Sequence, residues 1–133
     1  MSGKPFTIEA TVEIEEGKKP HGIIVAHGGS SVGYVLYARD NSLFFSVRIG
    51  TNSVQKIAFR SPGRKMEISA SLTGETLSLR IGGKSVEMKS RGLLKRHPQE
   101  SLCIGSDDAN PVDPEAPRTR INGLLSTLNV TVR

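Results

Sequence analysis

Apolar and polar residues alternate along most of this chain. The first segment carries five apolar residues at every second position: Phe6, Ile8, Ala10, Val12 and Ile14. A period of two places successive side chains on opposite faces of an extended strand, so this segment has one dry face and one wet face. The pattern recurs from residue 6 to residue 132, and no segment has the spacing typical of a helix. We therefore predict an all-β protein.

Turn-forming residues divide the alternating pattern into short strands. Asp40-Asn41 and Gly82-Gly83 are two-residue hairpin signals, because these residue types tolerate the backbone angles of tight turns. Residues 22–26 are apolar on both faces, which is typical of a strand covered on both sides. The predicted strands are 6–14, 22–26, 33–39, 43–49, 54–59, 66–72, 77–81, 85–88, 102–104 and 124–132. Strands of this length joined by short turns indicate an antiparallel sandwich of two sheets with their dry faces together.

Length and composition indicate one globular domain over residues 1–133. A chain of 133 residues can bury a core without metals or disulfides, and 36% hydrophobic and 23% charged residues are ordinary for a globular protein. No apolar run approaches the ~20 residues of a membrane-spanning helix, and the N-terminus lacks the apolar stretch of a signal peptide. Because the first strand begins almost at the N-terminus, we expect the domain to have been cut from a longer protein.

The formal net charge of +5 suits an acidic or sulfated polysaccharide as partner. The basic residues are densest in one region: Lys84, Lys89, Arg91, Lys95 and Arg96. The alternative is a solvated sheet face, since basic residues elsewhere simply alternate with apolar ones. Nucleic acid is not an expected partner, because exposed aromatic residues are not interleaved with the basic ones.

The nucleophiles and histidines do not form a recognisable site. Ser31 is the centre of a Gly-Ser-Ser-Val-Gly segment, but this pattern activates a serine only between a strand and a helix, and here a strand is predicted to follow. Cys103 is the single cysteine, so no internal disulfide forms, and its apolar neighbours predict a core position. His21, His27 and His97 lack the spacing of zinc ligands.

Carboxylates on the first strand raise the question of glycoside hydrolysis. Glu9, Glu13 and Glu15 share one face, as the catalytic carboxylates of a glucanase would. A retaining pair needs carboxyl groups about 5 Å apart, whereas Glu9 and Glu13 would lie roughly 13 Å apart at ~3.3 Å per residue. Glu15 falls where the strand is predicted to end. A solvent-facing acidic row is the favoured interpretation.

A polar loop after the ninth strand gathers oxygen donors that suit calcium. The candidate ligands are Asp107, Asp108, Asn110 and Asp113. Their spacing is not that of an EF-hand, because Arg118 occupies the twelfth position of the loop. The alternative is a loop that is stiffened by its prolines and needs no ion. No cofactor is expected, and calcium is the one candidate.

The order of motifs resembles a laminin-G-like, concanavalin A-like jelly roll. The landmarks that carry the resemblance are Phe6–Ala10, Gly22–Gly29, Gly33–Tyr37, Leu77–Lys84, Ile104–Asp107 and Ile121–Leu125. These motifs are most similar to those of the β-sandwich at the C-terminal end of some bacterial arylsulfatases. The chain departs from the family where Arg64–Glu67 replaces the usual tryptophan–histidine pair, and it has no tryptophan on which a sugar could stack.

This resemblance implies a non-catalytic accessory module. Such a domain packs against the catalytic domain of a sulfatase-like hydrolase, or binds a glycan beside it, in the periplasm or outside the cell. The ligand-contact candidates are His27, Tyr34, Tyr37, Arg39, Arg118 and Arg120. Alternation sends Tyr34 and Tyr37 to opposite faces, which leaves either one of them exposed or both in the core.

Two other functions stay open on the sequence. A structural interaction domain without a small ligand would present an apolar patch on an outer sheet face. A glycoside hydrolase of the concanavalin-like fold would need two carboxylates that converge in a groove. No catalytic residue is assigned.

Overall fold

The computed structural model describes residues 4–28, 32–50, 53–60, 62–94, 102–104 and 119–132. These residues form ten strands. The strands are β1 (Phe6–Ile14), β2 (Gly22–Gly28), β3 (Gly33–Arg39), β4 (Ser42–Gly50), β5 (Ser53–Arg60), β6 (Lys65–Leu72), β7 (Thr76–Ile81), β8 (Lys84–Lys89), β9 (Leu102–Ile104) and β10 (Gly123–Val132). The described part of the chain contains no helix, and hence none that is long and apolar enough to cross a bilayer.

The strands form two five-stranded sheets, which confirms the predicted antiparallel sandwich. The first sheet has the order β10-β1-β6-β7-β8 and the second has the order β5-β4-β3-β2-β9. The pairings between these strands are antiparallel. Alternation predicted the strand bounds closely, because a dry row on one face is a local property of the sequence.

The hairpins confirm the predicted turn residues. Asp40 and Asn41 have positive φ angles of 51° and 60° between β3 and β4. Gly82 has a φ of 59° between β7 and β8. These left-handed angles are those of a two-residue turn that matches the twist of the flanking strands.

The core lies between the two sheets. Alternate residues of β1, β6 and β7 are buried against alternate residues of β3 and β4. Three aromatic rings connect the layers, because the Phe6 ring lies 5.0 Å from the Tyr34 ring and 6.3 Å from the Phe45 ring between centroids. All three side chains are at most 1% exposed. Tilted and edge-on contacts of this kind add to the free energy that burial of the rings supplies.

A short crossing ties the start of β2 to the segment before β10. The Ile23 amide donates to the Thr119 carbonyl at 2.8 Å, and the Ile121 amide donates to the Ile23 carbonyl at 2.9 Å. The Asn122 side chain accepts from the His21 amide at 2.9 Å and donates to the Lys19 carbonyl at 2.7 Å. These bonds satisfy backbone groups of the loop between β1 and β2.

Candidate functional site

The outer face of the second sheet carries an apolar cluster. The residues that cluster there are Ile23, Ala26, Val35, Tyr37 and the partly buried Phe44. The Tyr37 and Phe44 rings stack with centroids 5.0 Å apart, and the Lys56 ammonium lies 5.6 Å from the Phe44 centroid. Because Val35 is fully buried and Tyr37 is 1% exposed, this face offers no open surface at either residue.

The outer face of the first sheet is polar and open. Its side chains form three rows across the strands, which we call the polar face: Thr131, Thr7, Ser71, Ser78 and Glu87; Asn129, Glu9, Ser69, Arg80 and Ser85; Thr127, Thr11 and Glu67. Each of these residues alternates with one that points toward the other sheet. Short hydroxyl side chains alternate with the longer charged ones, since Ser69 lies between Glu9 and Arg80 in the middle row.

A groove crosses this polar face. Two adjoining hollows of about 280 Å³ and 340 Å³ share Glu9, Ser69 and Arg80 among their lining residues. The first extends toward Thr127 and Asn129 on β10, and the second extends toward β8. We call the two hollows together the polar groove. The groove is open to solvent along its length, because its charged side chains are exposed.

The polar groove combines donors and acceptors on a rigid base. Thr7 and Ser71 lie 3.1 Å apart between their hydroxyl oxygens, and the Thr127 hydroxyl donates to the Thr11 hydroxyl at 2.9 Å. A hydroxyl can both donate and accept, a carboxylate accepts, and a guanidinium donates in several directions. The arrangement is therefore suited to bind a ligand that is rich in hydroxyl groups.

The acidic residues predicted to share one face of the first strand lie in different environments. Glu13 forms an ion pair with Arg64 at 3.5 Å, and Glu15 lies beyond β1 and pairs with Lys18 at 3.6 Å. Only Glu9 lines the polar groove between the two hollows. Within the described ranges, no group of three or more histidine, cysteine, aspartate or glutamate side chains could hold a metal ion.

His27 and Tyr34 are the two sequence candidates that the fold brings together. Their rings meet edge to face at 5.6 Å, and the Tyr34 hydroxyl lies 3.5 Å from Nδ1 of His27. Tyr34 points into the core and has no exposed surface, whereas His27 is half-buried. Burial raises the pKa of the Tyr34 phenol, because the ionised form would lose its hydration.

The other sequence candidates lie apart from this pair. Tyr37 is on the opposite face of β3 from Tyr34, as alternation predicts, and it is buried in the apolar cluster on the outer face of the second sheet, whereas Tyr34 belongs to the core. Arg39 is exposed at the end of β3, where it pairs with Asp40 at 3.6 Å. Arg120 is exposed beside β2.

Several candidates lie outside the described residues. They are Arg118, Ser31 and the calcium candidates Asp107, Asp108, Asn110 and Asp113. Arg118 as a ligand contact and the four loop residues as a calcium site stay predictions of the sequence.

Most residues of the polar groove were missed by sequence reasoning. Glu9 belongs to the acidic row of the first strand, but Ser69, Arg80 and Asn129 stand at solvent-facing positions of separate strands, where no motif marks them. The signal that points to them is the run of short hydroxyl residues at wet positions of both strands of the β6–β7 hairpin. A wet face usually carries long charged side chains, and serine leaves a hollow there.

The buried phenol predicts a pH dependence of stability. Because its pKa is raised above the ordinary value of about 10, the unfolded chain releases this proton first, so stability falls as the pH rises above about 10. We expect Tyr34→Phe to make this alkaline loss shallower. Urea denaturation at about pH 8 and about pH 11 measures the effect. An equal loss in both proteins would show that Tyr34 does not titrate differently in the folded state.

No protein-family model and no curated protein sequence matches this chain. Solved structures match in fold. The binding domain of botulinum neurotoxin serotype D/C superposes with a TM-score of 0.69 at 17% identity, over 96% of this chain and 33% of that one. The binding domain of botulinum neurotoxin DC in complex with SialylT gives 0.64 at 15%, over 98% and 31%. Sheep galectin-11 in complex with glycerol gives 0.57 at 11%, over 98% and 92%.

These likenesses show that the chain shares its β-sandwich fold with the toxin binding domains and the galectin. The chain spans only about a third of the toxin chains but nearly the whole galectin. The three proteins are toxin binding domains and a galectin, and none is a sulfatase. At these identities the match concerns the path of the backbone, so it does not assign a binding residue.

Proposed function

We propose that this chain is a carbohydrate-binding module that holds an oligosaccharide on its polar face. The observation that carries the proposal is the polar groove, where Glu9, Ser69 and Arg80 line both hollows. Sugar hydroxyls both donate and accept hydrogen bonds, and the groove offers matching groups at strand spacing. The short serine and threonine side chains leave room for a sugar ring between the longer ones.

The charges of the groove favour a neutral sugar. Glu9, Glu67 and Glu87 line the polar groove, and Arg80 is the one cation among its described lining residues. A sulfate or carboxylate group would be repelled by three like charges and attracted by one. The acidic or sulfated polysaccharide that the net charge suggested therefore fits this face less well than a neutral oligosaccharide.

Proteins of the same fold support the proposal in general terms. One toxin binding domain is in complex with SialylT, and galectin-11 is in complex with glycerol. An accessory role beside a sulfatase-like catalytic domain is a narrower form of the same proposal, and these relatives lend it no support. The proposed module binds without catalysis.

NMR titration of the whole chain with neutral, sialylated and sulfated oligosaccharides tests the proposal. We expect the neutral sugars to shift amide signals of β1, β6 and β7. Arg80→Ala and Glu9→Gln should each weaken the affinity about tenfold or more, because each removes a charged hydrogen-bond partner.

Arg60→Ala is the matched control. Arg60 is an exposed arginine at the end of β5 in the second sheet, away from the polar groove. Its substitution should leave the affinity unchanged. If no sugar binds, or if Arg60→Ala weakens binding as much as Arg80→Ala, the polar face is not the binding site.

A further inference from the structure

The two edges of the first sheet differ in charge. β8 forms one edge and carries Lys84, Glu87 and Lys89 within six residues. β10 forms the other edge and has no charged residue and no proline among its ten. Charged residues and prolines on an edge strand normally prevent the free backbone groups from pairing with another chain. β8 has this protection and β10 lacks it.

The inner row of β10 is incompletely covered. Leu128 and Val130 point toward the second sheet, opposite Ala10 and Ile8 of β1, but they are only partly buried. Val132 continues this row and is 41% exposed. This row of apolar side chains therefore keeps solvent-accessible surface along the edge of the sheet.

We infer that β10 pairs with β10 of a second copy of this chain, antiparallel about a two-fold axis at Asn129. In this register Thr127 lies opposite Thr131 of the other copy, and Leu128 lies opposite its Val130. Residues directly opposite each other share a face, so solvent-facing residues of one copy meet solvent-facing residues of the other, and inward-facing residues meet inward-facing ones. The bulge between the pairs Thr11–Thr127 and Val12–Leu125 ends this matching segment, because it reverses the faces of the residues before it.

Charge favours β10 over other surfaces of the chain as the place where two copies meet. The formal net charge is +5, so most contacts between two copies would oppose basic residues. β10 brings no charge to the contact. In this register Thr127 pairs with Thr131 of the other copy and Asn129 pairs with its own equivalent, and both pairs can form side-chain hydrogen bonds. Self-pairing also satisfies the backbone groups of alternate β10 residues that point away from β1.

The pairing would join the two polar faces. Asn129, Glu9, Ser69 and Arg80 lie in one row across the first sheet. With Asn129 on the axis, that row continues into the same row of the second copy across a ten-stranded sheet. Dimerisation does not depend on the proposed sugar binding, and it is measured without a sugar.

Light scattering coupled to size-exclusion chromatography over a range of concentrations tests the pairing. We expect the mass to rise from that of one 14.3 kDa chain to twice that value. Asn129→Lys should return the protein to a monomer, because it places two like charges opposite each other on the axis. Ala58→Lys, which adds the same charge at an exposed position of the edge strand β5, should leave the dimer intact.

Cysteine crosslinking tests the register and does not depend on the Asn129→Lys variant folding. In a Cys103→Ser background, Asn129→Cys should form a disulfide-linked dimer on oxidation, because directly opposed strand residues are within reach of a disulfide. Thr131→Cys alone should not, since Thr131 faces Thr127. A monomer at all concentrations, or crosslinking of Thr131→Cys but not of Asn129→Cys, would overturn the pairing. A monomer whose β10 is occupied by a strand of another protein would overturn it equally.

Discussion

Phe6→Ala is expected to destabilise the domain by about 3–5 kcal/mol, the range for removing a buried phenylalanine. The Phe6 ring is 1% exposed and contacts Tyr34 and Phe45 of the opposite sheet. Its removal leaves a cavity between the layers and loses both aromatic contacts. Because a domain of this kind is stabilised by only about 5–15 kcal/mol in total, urea denaturation should show a large shift of the midpoint.

Phe6→Leu is the matched control for this prediction. It keeps most of the side-chain volume and should cost about half as much or less. A loss below about 1 kcal/mol for Phe6→Ala would place the ring outside the tightly packed core, because substitutions that cost so little are typical of the surface. Such a result would contradict the sandwich as described.

Gly22→Ala is expected to destabilise the protein by about 3 kcal/mol or more, since it combines a steric overlap with an unfavourable backbone conformation. Gly22 has a φ of 123°, which side chains of L-residues rarely adopt. A Cβ there would also overlap the carbonyl oxygen of Arg120. That oxygen belongs to backbone and cannot move without breaking the crossing at Ile23.

Gly74→Ala separates the effect of position from that of losing a glycine. Gly74 lies in the turn between β6 and β7, where an added Cβ would meet no atom within 4 Å. We expect this substitution to change stability by less than about 1 kcal/mol. Thermal unfolding by circular dichroism compares the two variants. Equal melting temperatures for Gly22→Ala and Gly74→Ala would show that the approach of Arg120 to Gly22 is not rigid.

A buried hydroxyl group lies on the outer face of the second sheet. Ser46 is fully buried on the outer side of β4, next to Val35, and its hydroxyl oxygen has no hydrogen-bond partner among the described residues. A buried polar group without a partner costs free energy.

The residues of the polar groove show where sequence reasoning stops. The alternation in Phe6–Ile14 identifies Glu9 as a wet residue, and the same holds for Ser69, Arg80 and Asn129 in their own strands. Their meeting depends on the strand order, because β1 lies between β6 and β10, which are distant from it in the sequence. Pairing between distant strands is a property of the whole fold, so no local pattern predicts it.

The tyrosines illustrate the same limit. Alternation correctly sent Tyr34 and Tyr37 to opposite faces, but it left open whether either of them is exposed. Tyr37 is buried on the outer face of the second sheet, where it stacks on Phe44. A period of two contains no information about what packs on a sheet face.

The sequence by itself determined the all-β class, the strand bounds and the turns at Asp40-Asn41 and Gly82, because these follow from side-chain periodicity and backbone preferences of a few neighbouring residues. Only the tertiary structure decided which wet residues share the polar groove and which edge of the first sheet lacks charge. Both depend on contacts between residues far apart in the chain. The local pattern allows many strand pairings equally, and only the strand order of the folded sheets selects among them.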